Sequence, residues 1–367
     1  MKKIVIDARM INVSGIGTYI KNFIPAIIDK NRLFLIGDRS ELEEFSWFSS
    51  KEKIIQANFG IYTIGEQMLL PFLIPACDVF ISPHFNVPML PVNAKRRIVI
   101  IPDVYHISNA KTISLSHSVY AKLLVYMALK KSNTVITISH FSESEIVKYF
   151  PHFSNKLQVA YCGIDMSKFG VSVNQNHIET IKTKYNLPDN YILYVGNVKP
   201  HKNLLDLIYA FASLIQEIEN LFLVITGRLE GFITSDVRAL EFIENNERLK
   251  NKIVFTGYVK DDDLPVIYKL ASVFVFPSKY EGFGLPPLEA MASGCPVISS
   301  DAASLPEICG EGALYFSPGN TDDLAKKVRL LLANGRERSK LIANGYENIK
   351  RFSWTNFNRV LQNAIDE

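Results

Sequence analysis

The sequence predicts an α/β protein with two doubly wound parallel sheets, one in each of two domains. Short apolar runs that suit buried strands alternate with longer segments whose apolar residues recur at helical spacing. A polar stretch over residues 166–188 interrupts this alternation, which then begins again. Because 367 residues suffice for two domains of ordinary size, we place the domains at residues 1–168 and 169–351.

The first domain is predicted to form a parallel sheet that is covered by helices on both faces. Its predicted strands are residues 3–7, 33–36, 53–56, 79–82, 97–101, 134–138 and 157–160. Helices are predicted at residues 64–73, 116–131 and 142–149, with a further one after Tyr19.

The second domain repeats the pattern. Its predicted strands are residues 191–196, 222–225, 253–256, 273–276, 296–299 and 313–316, with helices between them.

Residues 280–292 of the second domain combine the features of an anion site. They follow the predicted strand 273–276 and read Tyr-Glu-Gly-Phe-Gly-Leu-Pro-Pro-Leu-Glu-Ala-Met-Ala. Gly282 and Gly284 leave the backbone open to close approach. The Pro-Pro pair suits the first turn of a helix, and a helix N-terminus attracts phosphate.

Two carboxylates flank this anion site. Glu289 lies among apolar residues, where a lone carboxylate would be costly unless hydroxyl donors satisfy it, as a sugar diol does. Glu281 lies on the glycine loop. The combination indicates a nucleotide-sugar site, and a capped helix with a surface glutamate is the alternative for this spacing taken alone.

The stretch is similar to the signature of family-4 glycosyltransferases, which are retaining enzymes of the GT-B fold. The resemblance continues through residues 293–300, 304–307 and 310–316 and ends near residues 322–325. It implies two Rossmann-like domains that face a central cleft, the first binding the acceptor and the second the donor. It also implies that residues 352–367 pack back on the first domain.

The resemblance assigns roles along this segment. Glu281 contacts hydroxyls of the donor sugar and acts as a catalytic residue, while Glu289 accepts the ribose hydroxyls. Phe283, Gly284 and Leu285 surround the diphosphate.

The loop over residues 196–203 resembles the family loop in which an arginine and a lysine clamp the diphosphate. Lys202 matches the lysine, whereas Asn197 or His201 stands where the arginine usually lies. We therefore expect Lys202 to stabilise most of the phosphate charge in catalysis. The remaining donor contacts predicted here are Gly196 and Asn197, with Lys199 or Arg228 as helpers.

Gly15 and Gly17 follow the first strand of the first domain. Glycines between a strand and a helix allow a phosphate to approach. The resemblance implies that this loop faces the donor diphosphate.

Asp103 is the third predicted catalytic residue. It ends a strand at a place where the family often has His-Asp, and here Pro102 replaces the histidine. His84 and His106 are candidates to fill that space, and a structural role for each is an equally good interpretation.

The stretch after the predicted strand 253–256 resembles the place where the nucleobase packs in the family. Tyr258 and Val259 are the contacts predicted there. Residues 261–263 are three consecutive aspartates, which we interpret as helix-capping charge and not as a metal site. We predict no metal and no bound cofactor.

Composition limits the choice of compartment and partner. No apolar run is long enough to span a membrane, and four scattered cysteines suit reduced thiols, so we expect a cytoplasmic protein. Residues 1–185 hold 21 Lys and Arg against 14 Asp and Glu, which suggests an anionic partner such as the inner face of a membrane. Ordinary scatter of charge is the alternative. We predict no nucleic-acid partner.

The sequence thus predicts a metal-independent, retaining hexosyltransferase. The expected donor is a nucleoside diphosphate sugar, GDP-mannose before a UDP sugar, because the Gly-Ile-Gly and Pro-Pro-Leu-Glu forms look similar to mannosyltransferases of surface-polysaccharide and lipopolysaccharide synthesis. The expected acceptor is a saccharide or a lipid-linked saccharide. The alternative is a non-catalytic subunit that binds nucleotide sugar for another transferase.

Overall fold

The structure, a computed structural model, describes residues 1–49, 52–109, 115–170, 174–227 and 236–367. The chain divides into two units. The first comprises Met1–Gly163 together with Ser353–Glu367, and the second comprises Ile164–Phe352. Each unit is built around a parallel sheet with helices between most successive strands, which confirms the predicted α/β class.

The first sheet has the strand order β3-β2-β1-β4-β5-β6-β7. Its strands are Lys3–Asp7 (β1), Arg32–Gly37 (β2), Lys53–Gln56 (β3), Cys77–Ser82 (β4), Ala94–Ile100 (β5), Thr134–Thr137 (β6) and Leu157–Val159 (β7). The central strands are apolar on both faces because helices cover both. Ile4, Val5 and Ile6, for example, are fully buried.

The helices of the first unit pack on this sheet and on one another. They are Ser14–Ile28 (α1), Arg39–Leu42 (α2), Ile64–Leu73 (α3), Tyr105–Ser108 (α4), Leu115–Lys131 (α5), His140–Tyr149 (α6) and the C-terminal Trp354–Asp366 (α17). Helix α17 packs beside α1, where the rings of Phe357 and Tyr19 lie 6.2 Å apart.

The second sheet has the strand order β10-β9-β8-β11-β12-β13. Its strands are Tyr191–Val195 (β8), Phe222–Thr226 (β9), Ile253–Gly257 (β10), Val273–Phe276 (β11), Val297–Ser300 (β12) and Ala313–Phe316 (β13). Their apolar side chains form a core with the helices on both faces.

The helices of the second unit follow the same alternation. They are Met166–Phe169 (α7), Gln175–Tyr185 (α8), Leu204–Leu214 (α9), Val237–Glu244 (α10), Glu247–Lys250 (α11), Leu264–Leu270 (α12), Leu285–Ala292 (α13), Leu305–Cys309 (α14), Thr321–Ala333 (α15) and Gly335–Ile349 (α16).

One predicted loop is part of a helix. We expected Gly15 and Gly17 between β1 and the next helix, but α1 begins at Ser14 and includes both. The Gly17 N–H donates to the carbonyl of Val13 at 2.6 Å. A β-carbon at position 17 would lie 2.1 Å from the carbonyl oxygen of Ile11, so the first turn of α1 needs glycine for close packing.

Candidate functional site

Most of the predicted donor residues lie on two loops at one point of the second sheet. Strands β8 and β11 are neighbours, although the chain makes β9 and β10 between them, so the strand order reverses here. Ligands of doubly wound sheets bind at the carboxyl ends of the strands at such a switch point. The loop over residues 196–203 follows β8, and the loop over residues 277–284 follows β11.

Hydrogen bonds hold these two loops together. The Lys279 N–H donates to the His201 carbonyl at 2.7 Å. The Asn203 side chain donates to the Pro277 carbonyl at 3.1 Å and to the carboxylate of Asp206. Asn203 adopts a left-handed conformation with φ 55°, which asparagine tolerates better than most residues. The loops are therefore a joined platform.

Lys202 and Glu281 form an ion pair across the platform. The Lys202 Nζ lies 2.5 Å from Glu281 Oε1, and their side chains are 21% and 14% exposed. Both residues were predicted to contact donor from separate stretches of sequence. The structure brings them together and adds a direct contact between them that the sequence had not predicted.

Ser304 shapes the loop that carries Glu281. Its hydroxyl lies 2.9 Å from the Glu281 carbonyl oxygen and 2.6 Å from that of Phe283, and it can donate to either. Phe283 is buried, and its ring packs edge-on against Phe352 with the centroids 5.7 Å apart. Phe283 therefore supports the loop through packing of its ring, and its contact with diphosphate stays a prediction.

The start of helix α13 presents backbone donors. Gly284 is the N-cap with φ 125°, and a β-carbon there would lie 2.9 Å from the Leu305 side chain. Pro286 and Pro287 in the first turn have no N–H. Among the described residues, the N–H groups of Gly284 and Leu285 have no hydrogen-bond acceptor. These two amides and the helix dipole suit an anion.

Glu289 has a protein partner. We expected a lone carboxylate in an apolar helix, but the Tyr268 hydroxyl donates to Glu289 Oε2 at 3.0 Å. Burial raises the pKa of Glu289 to about 7, although the Tyr268 bond and the charge of Lys168 oppose the rise. Oε1 has no hydrogen-bond partner among the described side chains and is the acceptor left for a ligand.

Lys199 and Tyr194 lie close to the ion pair. Burial and the charge of Lys202 lower the pKa of Lys199. Burial and the charge of Glu281 raise the pKa of Tyr194, whose hydroxyl donates to the Asn197 carbonyl at 3.1 Å. Arg228, the other predicted helper, lies outside the described residues.

Gly196 follows β8 and lies beside Gly227, which follows β9. A β-carbon on Gly227, where φ is 140°, would lie 2.3 Å from the carbonyl oxygen of Gly196. The loop that carries Asn197 therefore passes close to the next strand end. Tyr258 and Val259 follow β10 at the same edge of the sheet, with the Tyr258 ring 66% exposed and Val259 buried.

The three consecutive aspartates do not cap a helix through their side chains. Asp263 is the N-cap of α12, yet its carboxylate accepts from Lys184 at 2.5 Å and from the Tyr185 hydroxyl at 2.7 Å. Asp263 thus stands at the predicted N-cap position, but its carboxylate bonds to α8 and accepts no hydrogen bond from the first turn of α12. Asp261 and Asp262 point to solvent with Lys168 3.9 Å away. The described residues contain no cluster of metal-ligating side chains.

The first unit contains the other predicted residues. Asp103 follows β5, and its carboxylate accepts from the Tyr105 N–H at 2.9 Å. The neighbouring Pro102 carbonyl accepts from the Ser142 hydroxyl at 2.7 Å. His84 is buried after β4, and His106 is exposed on α4. Gly15 and Gly17 lie in α1, as described above.

The sequence analysis missed a polar cluster in the first unit. Asp7 is the last residue of β1, Arg9 follows this strand, Glu66 lies on α3, and Asn86 follows β4. Arg9 pairs with both Asp7 and Glu66. The position of Asp7 and Arg9 at the carboxyl end of the first strand was the available signal. Glu66 gave none, because a glutamate in the first turn of a helix is usually solvated.

Comparison with known proteins identifies relatives. Residues 177–348 match the sequence model of the family described as glycosyl transferases group 1. O-antigen chain mannosyltransferase B of Escherichia coli is 32% identical over 240 residues, 65% of this chain and 61% of that protein. O-antigen chain mannosyltransferase RfbU of Salmonella typhimurium is 30% identical over 69% of this chain and 65% of its own length.

Serotype-specific mannosyltransferase WbdA of E. coli is 30% identical over 64% of this chain, but only 30% of WbdA is aligned. The chain thus spans less than two thirds of each of these relatives. Solved structures with the same fold include Anabaena HepE in complex with UDP-glucose, with a TM-score of 0.81 and 16% identity over all of both chains. WaaG, a glycosyltransferase of lipopolysaccharide biosynthesis, has a TM-score of 0.74 and 14% identity over 99% of this chain and 98% of its own.

Proposed function

We propose that the protein transfers a hexose from a nucleoside diphosphate sugar, since residues 177–348 match the group 1 glycosyl transferases and the chain has the GT-B fold. The acceptor in this proposal is a saccharide or lipid-linked saccharide, and the process is surface-polysaccharide synthesis. The names of the O-antigen mannosyltransferases support both the transfer of a hexose and the synthesis of a surface polysaccharide. They also favour GDP-mannose as donor. The UDP-glucose complex of HepE makes a UDP sugar the alternative.

The Lys202–Glu281 pair beside the start of α13 carries the proposal. Transfer requires that the departing diphosphate be stabilised. A lysine ammonium, two backbone amides and a helix dipole supply positive potential at one place, without a metal. The adjacent carboxylate suits the neutral hydroxyls of the donor sugar. In this proposal the Lys202–Glu281 ion pair opens when the donor binds. Lys202 then contacts the diphosphate, and Glu281 contacts the hydroxyls of the sugar.

The stereochemical part of the proposal is retention. Glu281 is already paired with Lys202, and this supports a hydroxyl-binding role for it over that of a nucleophile. Attack from the same face as the departing diphosphate needs no protein nucleophile, since the leaving phosphate oxygen can take the acceptor proton. Asp103 is proposed as a further residue that contacts the reacting sugar.

A non-catalytic subunit that binds nucleotide sugar is the second candidate. The residues Pro102 and Asn197, which replace the usual histidine and arginine, favour it. The experiment that separates the candidates mixes the purified protein with a panel of GDP, UDP, ADP and dTDP sugars and follows release of diphosphate. Slow hydrolysis of one donor supports the enzyme, binding without hydrolysis supports the subunit, and no binding refutes both.

We also propose a peripheral membrane contact through the first unit. Helix α3 exposes Ile64, Met68 and Phe72 at 82%, 61% and 82%, and α5 exposes Val119 and Leu123 at 61% and 49%. We call these five residues the α3–α5 apolar surface. Burial and the charge of Glu66 on α3 raise the pKa of Tyr120 on α5.

Basic residues accompany this surface. Lys122 and Lys130 are exposed on α5, and Lys131 lies beside them at its C-terminal end. Apolar side chains with lysines around them fit an interface with anionic lipid. No helix in the described ranges has the length and apolarity to cross a bilayer. The proposed location is therefore the surface of the inner membrane leaflet.

A further inference from the structure

A small cavity opens at the switch point of the first sheet. Strands β1 and β4 are neighbours there and the strand order reverses, as it does between β8 and β11 in the second unit. The residues that line the cavity and carry the argument are Asp7, Arg9, Ile61, Glu66, His84 and Asn86. This crevice is where a doubly wound sheet binds its ligand.

Arg9 is the centre of the cavity wall. Its Nε and Nη2 donate to the two oxygens of Asp7 at 2.8 and 2.7 Å, and Nη2 also pairs with Glu66. The side chains of Arg9 and Glu66 are 6% and 1% exposed. Burial opposes the charge of the guanidinium, but the bonds and charges of Asp7 and Glu66 raise the pKa of Arg9. One cation thus lies between two carboxylates.

The Glu66 and Asn86 side chains are already bonded within the protein. Glu66 Oε2 accepts from the Tyr62 N–H at 2.7 Å and from the Asn86 side-chain amide. The Asn86 Oδ1 in turn accepts from Gln67 at 3.1 Å. These bonds fix Glu66 and Asn86, so they frame the cavity without needing a ligand.

The Nη1 group of Arg9 is the part of the guanidinium that takes no part in these bonds. It is buried and has no hydrogen-bond partner in the described parts of the chain. The ring of Phe59 lies 5.2 Å from the guanidinium carbon and offers no acceptor. A buried donor without an acceptor destabilises the protein, so Nη1 favours an oxygen acceptor from outside the protein.

The net charge of the cavity determines whether a neutral or an anionic ligand oxygen can bind to Arg9 Nη1. Asp7 and Glu66 together exceed Arg9 by one negative charge. His84 adds none, because burial and the nearby His106 lower its pKa to about 3 and keep the ring neutral. The Tyr62 hydroxyl lies 3.0 Å from His84 Nε2. An incoming phosphate or carboxylate would be repelled, whereas a neutral oxygen would not.

The size of the cavity limits the group further. The space open to the centre of a water molecule is about 10 Å³, which is room for about one water-sized group. A single hydroxyl fits, and a sugar ring must stay outside. A sugar offers such a hydroxyl at the end of a rigid ring.

We propose that this cavity receives one neutral hydroxyl of the saccharide acceptor, whose oxygen accepts a hydrogen bond from Arg9 Nη1. The inference rests on the proposed glycosyl transfer and deepens it, because it makes the acceptor unit a neutral sugar at this point. Arg9 is then a binding and specificity-determining residue, while Asp7 and Glu66 position it.

The test fills the cavity without disturbing the network. Ile61 lines the cavity and is partly exposed, so Ile61→Phe should block entry while Asp7, Arg9 and Glu66 keep their bonds. Leu69→Phe, on the exposed face of α3, is the matched control. Binding of methyl α-mannoside, methyl α-glucoside and inorganic phosphate to the full chain is measured by saturation-transfer NMR, beside hydrolysis of the nucleotide sugar.

We expect a methyl hexoside to bind the wild type and the control, to bind Ile61→Phe at least about tenfold more weakly, and phosphate not to compete. Arg9→Lys keeps the positive charge but removes the guanidinium donors, Nη1 among them, so it should raise the KM for a hexoside acceptor. No hexoside binding to the wild type, binding that Ile61→Phe leaves intact, or competition by phosphate overturns the inference. Lack of nucleotide-sugar binding and hydrolysis would instead refute the proposed function.

Discussion

The Lys202 Nζ lies 2.5 Å from Glu281 Oε1 at the switch point of the second sheet, so the strongest cation and the nearest carboxylate of the candidate donor site neutralise each other. A donor must separate them. The energy of this pair is therefore part of the affinity for donor, and the two residues have to be tested together.

Lys202→Met should weaken transfer by about 2–4 kcal/mol of transition-state stabilisation, because it removes the main cation on the departing diphosphate. Methionine keeps most of the aliphatic stem. Calorimetry with GDP and UDP, together with the transfer rate, measures the effect. Lys279→Met is the control, since Lys279 is exposed on the adjoining loop. Unchanged diphosphate affinity in Lys202→Met would disprove the assignment.

Glu281→Gln should lower turnover with the intact donor and leave the affinity for free diphosphate equal or higher. The charge that holds Lys202 away from phosphate is lost, while the contact with sugar hydroxyls is weakened. Calorimetry and single-turnover kinetics separate the two effects. If Glu281→Gln loses diphosphate binding and Glu289→Gln keeps it, the roles of the two glutamates are reversed.

Glu289 should make both stability and nucleotide affinity depend on pH. Its pKa of about 7 lies above the ordinary glutamate value of 4.5, so the folded state holds the proton more tightly. The charged carboxylate therefore costs stability, and this cost grows from about pH 4.5 to 7 and is complete above pH 7. The melting temperature of Glu289→Gln should exceed that of the wild type by more at pH 8 than at pH 5.

The affinity for nucleotide should increase with pH, whereas the contribution of Glu289 to stability decreases. An ionised Glu289 accepts ribose hydroxyls better than the protonated form, so affinity for the free diphosphate should rise between pH 6 and 8. In Glu289→Gln the affinity should be lower by about 1.5–3 kcal/mol at pH 8, and the rise should flatten. Calorimetry at three pH values tests this, and the same rise in Glu289→Gln would assign it to another group.

Chelation by EDTA should leave transfer intact. Asp263 is occupied by Lys184 and Tyr185, and Asp262 is 99% exposed in its side chain, so these residues do not converge on an ion. Asp262→Asn should likewise keep full activity. Complete loss in EDTA that Mg²⁺ or Mn²⁺ restores would show that catalysis needs a metal.

The α3–α5 apolar surface should hold the protein on anionic vesicles. Phe72→Ser and Ile64→Ser should each reduce co-sedimentation with phosphatidylglycerol vesicles, because each removes an exposed apolar side chain from the interface. Leu330→Ser, which changes an exposed leucine of the second unit, should have no effect. High salt should also weaken binding. Equal binding of all three variants would refute this surface as the contact.

The predicted strands and the order of elements could be read from the sequence because buried parallel strands are short apolar runs with turn residues at their ends. Each predicted strand is present, with bounds that differ by at most three residues. Helix α3 begins and ends at the predicted residues. Lys202 and Glu281 could be assigned to one site because the stretches that carry them resemble two donor-binding segments of one family.

The sequence by itself therefore determined the α/β class, the two sheets and the stretches that follow the strands, since these depend on local apolar periodicity. Only the tertiary structure decided which side chains meet. The Tyr268 hydroxyl donates to Glu289, Lys184 pairs with Asp263, and Arg9 pairs with Glu66. These partners are far apart in the chain, and no local pattern encodes them. Their choice follows from the sheet order, which places distant strand ends and helices around one point.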